Sequence, residues 1–204
     1  PTMVRPDDMI DLMAALRSAF TFAEDVEISV EMDPNDLDEP RYDALAAIGM
    51  TRASLGVQDF HPEVQKAINR IQTFEQTKSV VEAVRARGVH SVNCDILYGL
   101  PHQTETTVAE TVKDILSLAP DRIALFGYAH VPWMKKHQTM IKEEVLPGLE
   151  ERFAQMSLAA SMLVAAGYEP VGIDHFALPS DRMAIAAREG RLRRNFQGYT
   201  DDAA

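Results

Sequence analysis

Stretches of strand length and stretches of helix length alternate along this 204-residue sequence, and this alternation limits the fold more than any other feature. The predicted strands end in polar side chains at five positions: Glu31, Gln58, Asp95, His130 and Asp174. Neighbouring strand ends are about 27 to 44 residues apart, which is the spacing of successive strand–helix units in a parallel sheet. The sequence therefore predicts an α/β fold containing a TIM-like barrel or part of one, with a doubly wound open sheet as the alternative.

The bounds of the predicted elements follow from apolar periodicity and from capping residues. Strands are predicted at 26–30, 52–57, 91–97, 122–128 and 168–173, and helices at about 7–20, 40–48, 73–88, 104–118 and 148–166. Thr73 and Gln76 have the spacing of a capping box, in which each side chain accepts the backbone N–H of the other residue. Gly88 suits the left-handed residue that ends a helix.

Charge and cysteine content argue against several functions. The 20 Lys and Arg residues against 31 Asp and Glu residues give a net charge of −11, which disfavours a surface for duplex nucleic acid. No apolar run approaches the roughly 20 residues of a membrane span, and neither a dinucleotide-binding nor a P-loop glycine motif is present. Cys94 is the single cysteine, so the chain can form no internal disulfide and no thiolate-built metal cluster. Cys94 itself is expected to be a small core residue, with a nucleophile as the alternative. We therefore expect a protein of the reducing cytoplasm.

Polar strand ends are the expected ligand site, because α/β folds bind ligands at the carboxyl ends of their strands. Asp95 gives the strongest signal, since a carboxylate inside an apolar strand needs an arginine, backbone donors or a ligand hydroxyl as its partner. Gln58 continues a buried strand, and Arg70 could hold a ligand carboxylate with two hydrogen bonds. The alternatives are a solvated acid at Glu31, an Asx-type turn or helix cap at Asp59 and a structural ion pair at Asp95.

Two histidines and one basic cluster complete the candidates. His130 and His175 each close a predicted strand, and a metal pair, a hydrogen-bonding or substrate role and a structural role are all open for them. Their spacing matches no known metal motif, and no metal ligand is predicted. Arg191, Arg193 and Arg194 form a basic cluster that is either a solvated helix end or a site for substrate carboxylates.

Seven motifs together resemble one family. They are EMDP at 31–34, GVQDF at 56–60, INRIQ at 68–72, DILYGLP at 95–101, YAHVP at 128–132, DHFA at 174–177 and RNFQGYT at 194–200. In this order and without large gaps they resemble the oxygen-independent coproporphyrinogen III oxidases of the radical S-adenosylmethionine superfamily. The INRIQ and RNFQGYT motifs separate the chain from the related haem chaperones.

The resemblance implies one domain over residues 1–204, which belongs to a partial (β/α)6 TIM-like barrel and includes the start of a C-terminal region. It implies oxidative decarboxylation of two propionates of coproporphyrinogen III to vinyl groups, giving protoporphyrinogen IX. The implied cofactors are S-adenosylmethionine and a [4Fe-4S] cluster that cleaves it to a 5'-deoxyadenosyl radical. The implied partners are this small-molecule substrate and an electron acceptor, with no nucleic acid and no membrane.

Carried over motif by motif, the resemblance implies five contacts to S-adenosylmethionine: Glu31, Gln58, Arg70, Asp95 and Ala129. Asp95 and Gln58 would suit ribose hydroxyls, Arg70 would suit the methionine carboxylate, and Ala129 would act through its backbone. Substrate contacts are expected in the last motif, at Arg194, Asn195 and Gln197.

The family's three cluster cysteines, spaced CxxxCxxC, are absent from this sequence. We therefore expect a central fragment of a longer, monomeric enzyme, and we expect the fragment to be inactive by itself. We also expect it to self-associate, because the sheet edge left by a missing first strand can pair with another molecule. Two other functions stay open. One is a haem-binding or haem-transfer relative without oxidase activity, and the other is a cluster-free barrel that serves as a scaffold or uses acid–base chemistry.

Overall fold

A computed structural model describes residues 3–195 and 198–200 of the chain. Its helices are α1 (Pro6–Ala19), α2 (Glu39–Ala47), α3 (Pro62–Ala67), α4 (Phe74–Ala86), α5 (Glu105–Ser117), α6 (Leu149–Ala165) and α7 (Arg182–Arg188). Its strands are β1 (Ser29–Met32), β2 (Arg52–Gln58), β3 (Ser91–Tyr98), β4 (Arg122–Gly127), β5 (Glu169–Val171), β6 (His175–Ala177), β7 (Arg193–Asn195) and β8 (Gly198–Thr200). No helix in the described ranges is both long enough and apolar enough to span a membrane.

The first six strands form one sheet in the order β1-β2-β3-β4-β6-β5, and β7 and β8 form a separate hairpin. Strands β1 and β2 pair in parallel, and the helices α4 and α5 connect β2 to β3 and β3 to β4. This alternation confirms the predicted α/β class. The chain divides into two compact units, one made of residues 3–57 and 72–94 and the other of residues 58–71 with the described residues from 95 onward.

The first unit has an apolar face on its part of the sheet. Strand β1 alternates exposed and buried residues, and Val30 and Met32 are its buried members. Helix α4 begins at the predicted capping box, in which Thr73 Oγ1 accepts the Gln76 N–H at 3.1 Å. Its three valines lie on the buried side and are β-branched, so packing outweighs their weaker helix propensity. Cys94 is fully buried in this unit, as expected for a core residue.

The second unit differs from the prediction at its last strand. The sequence predicts one strand at 168–173, whereas the structure has a short hairpin of β5 and β6. Strand β6 pairs antiparallel with both β4 and β5, so β5 runs in the direction of β4 but lies one strand further out. The turn is possible because Gly172 adopts a φ of +65°, a conformation that a β-branched residue rarely adopts.

Candidate functional site

In the first unit one face of the sheet is polar and internally hydrogen-bonded. Glu31 lies inside β1, not after it as predicted, and is paired in register with Ser54. Ser54 Oγ accepts a hydrogen bond from Asn93 Nδ2 at 3.0 Å, and both side chains are buried. Arg52, on the same face, donates to Glu27 at 2.6 Å. Because buried polar groups need partners, this face is a pre-ordered polar surface, and Glu31 is its exposed carboxylate.

Gln58, the last residue of β2, has a strained backbone. Its φ of +71° lies in the left-handed region that non-glycine residues rarely occupy. Asn69 has a φ of +52° and directly precedes Arg70. Such strain concentrates at binding and active sites, where the surrounding structure enforces it. Gln58 therefore occupies a strained position, whereas Asn69 is the left-handed residue that ends α3 just before Arg70.

Asp59 is nearly inaccessible, with 1% of its surface exposed. Its Oδ1 accepts the backbone N–H of His61 at 2.6 Å, and its Oδ2 accepts from Gln103 Nε2 at 2.6 Å. Burial raises the pKa of this carboxyl above its ordinary value, and the hydrogen bond from Gln103 opposes that rise. The hydrogen bond from His61, two residues further along the chain, is that of an Asx turn before α3, whose N-cap is His61. The geometry therefore supports the alternative interpretation of Asp59 as the residue of an Asx turn, with a buried network behind it.

Two buried glutamines extend this network to the loop after β3. Gln103 Nε2 also donates to the Leu97 carbonyl, and Gln103 Oε1 accepts the Leu100 N–H, both at 2.8 Å. Gln155 of α6 donates to the Gln103 carbonyl at 3.0 Å and accepts the Gly99 N–H at 2.9 Å. In the second unit the loops after β2 and β3 are therefore held together by side-chain amides.

Asp95 is half-buried in β3, and the alternation of side chains along the strand fixes the face of the sheet on which it lies. A Cβ added at Gly127 would lie 2.9 Å from the Tyr98 hydroxyl, so these two residues share one face. Because side chains alternate along a strand, Asp95 and Phe126 point to the opposite face. The His175 ring lies 5.6 Å from the Phe126 ring and therefore also lies on that face.

The segment after β4 is held by a side chain that the sequence did not single out. Gln138 Nε2 donates to the Ala129 carbonyl at 3.0 Å, and Gln138 Oε1 accepts the Val131 N–H at 2.6 Å. The Tyr128 carbonyl accepts from Arg152 Nη2 at 2.7 Å. This clamp fixes the backbone of Ala129, through which the predicted cofactor contact would act.

His130 and His175 have different partners. His130 Nδ1 lies 3.2 Å from the Tyr128 hydroxyl, and burial raises the pKa of Tyr128. His175 Nδ1 lies 2.7 Å from Asp174 Oδ1. Among the described residues there is no group of three or more His, Cys, Asp or Glu side chains that could hold a metal ion.

The predicted substrate residues lie on the β7–β8 hairpin. Arg194 is paired in register with Tyr199, and its guanidinium lies 5.3 Å from the centre of the Tyr199 ring. The backbone of Asn195 pairs with Gly198. Gln197 falls outside the described residues.

The residues that sequence reasoning missed are the buried glutamines Gln103, Gln138 and Gln155. Gln155 could have been found, because it lies four residues before Ala159 and eight before Leu163 on the buried side of α6. A polar residue on an apolar helical face needs a partner.

Comparison with known proteins identifies the superfamily. Residues 1–115 match the model of the Radical SAM superfamily, which is more than half of the chain. The chain belongs to the radical SAM superfamily. Membership implies S-adenosylmethionine and a [4Fe-4S] cluster as cofactors. These 204 residues include one cysteine and cannot supply three thiolates, so they do not provide the ligands that the cluster requires.

This radical SAM chain is similar over nearly its whole length to proteins named oxygen-independent coproporphyrinogen III oxidase, which confirms the resemblance stated from the motifs. It is 54% identical over 202 residues to that of Cereibacter sphaeroides, covering 99% of this chain and 45% of the relative. It is 55% identical over 205 residues to that of Paracoccus denitrificans, covering 100% and 45%. The chain thus spans a little under half the length of these curated relatives.

The structure of coproporphyrinogen III oxidase from Escherichia coli superposes on the whole chain with a TM-score of 0.95 at 41% identity, covering 47% of that protein. An archaeal Elp3 from Methanocaldococcus infernus is 21% identical and superposes with a TM-score of 0.56. The match covers 67% of this chain and 33% of the Elp3 chain, and at this identity it shows the fold alone. The single-domain assignment to residues 1–204 stays a prediction.

Proposed function

We propose that the protein carrying this chain decarboxylates two propionates of coproporphyrinogen III oxidatively and without oxygen, giving the two vinyl groups of protoporphyrinogen IX. The observation that carries the proposal is identity of 54–55% to oxidases of this name along 99–100% of the chain. The names of these relatives do not favour a haem-transfer function. An electron acceptor takes part, no nucleic acid or membrane does, and the location is cytoplasmic.

We also propose that Glu31, Gln58, Arg70, Asp95 and Ala129 contact S-adenosylmethionine, which when bound would supply the radical that abstracts a propionate hydrogen. The strained φ of Gln58 and the clamped carbonyl of Ala129 support a pre-ordered cradle. Asp95 would accept hydrogen bonds from ribose hydroxyls. Arg70 would bind the methionine carboxylate, because its planar guanidinium can donate two parallel hydrogen bonds to it.

The cluster thiolates must come from outside these 204 residues, since Cys94 is the single cysteine and is fully buried. We therefore propose that the isolated 204-residue chain is inactive. We also propose that this chain self-associates, whereas the full-length enzyme is a monomer. Arg194, Asn195 and Gln197 are retained as proposed substrate contacts.

The test is the anaerobic activity of the full-length protein with its cluster reconstituted. The expected result is conversion of coproporphyrinogen III to a divinyl product together with release of methionine. Asp95→Asn should raise the KM for S-adenosylmethionine at least about tenfold, since it weakens a hydrogen bond to a charged acceptor. Glu110→Gln, an acid-to-amide change at an exposed position of α5, is the matched control and should leave the KM unchanged.

Two results would reject the proposal. One is a reconstituted protein that cleaves S-adenosylmethionine but leaves coproporphyrinogen III intact. The other is a protein that binds haem stoichiometrically and forms no vinyl product. An Asp95→Asn variant with an unchanged KM would reject the assignment of Asp95 alone.

A further inference from the structure

The cofactor contacts proposed above do not use Asp174 and His175, although these side chains form a well-defined pair. His175 Nδ1 lies 2.7 Å from Asp174 Oδ1, and the two side chains are only 15% and 20% exposed. Within the described residues the His175 ring makes this one hydrogen bond. An acceptor on Nδ1 fixes the orientation of an imidazole and directs Nε2 away from the acceptor.

Aromatic rings hold His175 in place from two sides. The Phe126 ring lies 5.6 Å and the Tyr199 ring 5.2 Å from the His175 ring, both edge to face. The Tyr199 hydroxyl in turn accepts the Ile173 backbone N–H at 2.9 Å. A Cβ at Gly172 would overlap the Tyr199 ring, so the close approach of hairpin and ring requires glycine there.

Tyr199, which contacts His175, also contacts a permanent cation. The Arg194 guanidinium stacks over the Tyr199 ring at 5.3 Å, and Arg194 Nη1 lies 3.4 Å from the Tyr199 hydroxyl. None of the described acidic residues forms an ion pair with Arg194, and its side chain is exposed. The guanidinium is therefore positioned by an aromatic face and keeps donors for a ligand.

We propose that His175, oriented by Asp174, and Arg194, oriented by Tyr199, form a subsite for one carboxylate of the substrate. In the imidazolium form, His175 Nδ1–H donates to Asp174 and Nε2–H donates to the ligand carboxylate. The imidazolium and the guanidinium carry two positive charges and Asp174 carries one negative charge, so one net positive charge is left for an incoming carboxylate. Charge-assisted hydrogen bonds of this kind are strong.

The position of the pair in the sheet matches a substrate role. His175 lies on the same face of the second unit's sheet as Asp95, which the proposed function assigns to S-adenosylmethionine. A carboxylate-bearing ligand on that face would lie on the cofactor side. The inference rests on the proposed function, because that function supplies the propionate side chains that the subsite would hold.

The test compares two porphyrin probes on the full-length protein. Coproporphyrin III carries four carboxylates, its tetramethyl ester carries none, and both report binding by their fluorescence. His175→Gln and Arg194→Ala should each weaken binding of the acid about tenfold and leave binding of the ester unchanged. Lys113→Ala is the control, since it removes a cation from an exposed position of α5 that belongs to no proposed site, and it should change neither affinity.

The outcomes separate the two proposals. If the unmodified protein binds the acid and both variants bind it equally well, the subsite is wrong and the proposed function stands. Equal losses for acid and ester would show a structural effect and also overturn the subsite. If the unmodified protein binds neither probe, the subsite is overturned, and the proposed function is decided by the turnover test above.

Discussion

Gln58 keeps a left-handed backbone at the end of β2, where glycine would be less strained. We expect Gln58→Gly to stabilise the fold by about 0.5–1 kcal/mol, because removing the strain outweighs the extra freedom of the unfolded chain. The same variant should weaken S-adenosylmethionine binding, because it deletes the proposed ribose contact. Urea unfolding and equilibrium binding measure the two effects.

The control for this combination of higher stability and weaker cofactor binding is His102→Gly. His102 also has a positive φ, +62°, and it lies outside the proposed cradle. The His102→Gly variant should stabilise the fold by a similar amount without changing the affinity for S-adenosylmethionine. Loss of affinity in His102→Gly as well would show that the effect of the Gln58 variant is not local.

Asp59 gives a prediction with a definite sign in pH. Because burial raises its folded-state pKa above the unfolded value, the folded state binds the proton more tightly. Its contribution to stability is therefore complete below the unfolded pKa, near 4, and falls as pH rises through the raised folded value. Asp59→Asn has no such titration, so the advantage of the unmodified protein over the variant should shrink as pH rises from about 3.

The measurement is urea unfolding of both proteins across that pH range. At neutral pH the variant should still lose about 1–3 kcal/mol, because an amide facing Gln103 Nε2 leaves a buried donor unsatisfied. Glu63→Gln, an exposed acid on the first turn of α3, is the control. A difference that grows with pH would contradict the assignment of the titration to Asp59.

At the scale of elements, helix α6 also positions the loop after β3. Its Gln155 donates to the Gln103 carbonyl and accepts the Gly99 N–H, so the helix holds the loop after β3 in place. Gln155→Met, nearly equal in volume, should cost about 1–3 kcal/mol because two buried backbone groups lose their partner. It should also speed hydrogen exchange at the Gly99 amide.

Ser157→Ala is the control for α6, since Ser157 is exposed on the same helix. It should leave both the unfolding free energy and the exchange rate at Gly99 unchanged. Unchanged exchange at Gly99 in Gln155→Met would show that the loop does not depend on the helix.

At the scale of the whole molecule, cysteine content limits what this chain can do by itself. The isolated 204-residue chain should retain no [4Fe-4S] cluster after anaerobic reconstitution, because three thiolate ligands are needed and it has one, fully buried. Iron and sulfide analysis measures the cluster content of the chain. Absorbance at roughly 400 nm is the optical check. Iron at about four atoms per chain would contradict the prediction.

The sequence by itself determined most of the fold, because local signals were strong wherever an element was regular. The capping box at Thr73, the apolar stretch of β3 and the single cysteine each pointed to what the structure contains. The polar strand ends also included three of the proposed cofactor contacts, Glu31, Gln58 and Asp95. These signals are local, so they can be read from residues within a few positions of each other.

Only the tertiary structure decided the rest. It placed β6 between β4 and β5, since strand order is set by packing and not by the pattern along one strand. It showed that Gln58 is strained and that Asp59 is buried with Gln103 from 44 residues away. It also brought His175 against Tyr199, 24 positions later, in one aromatic cluster. Contacts between distant residues leave no periodic trace in the sequence, because they depend on how the elements fold back on one another.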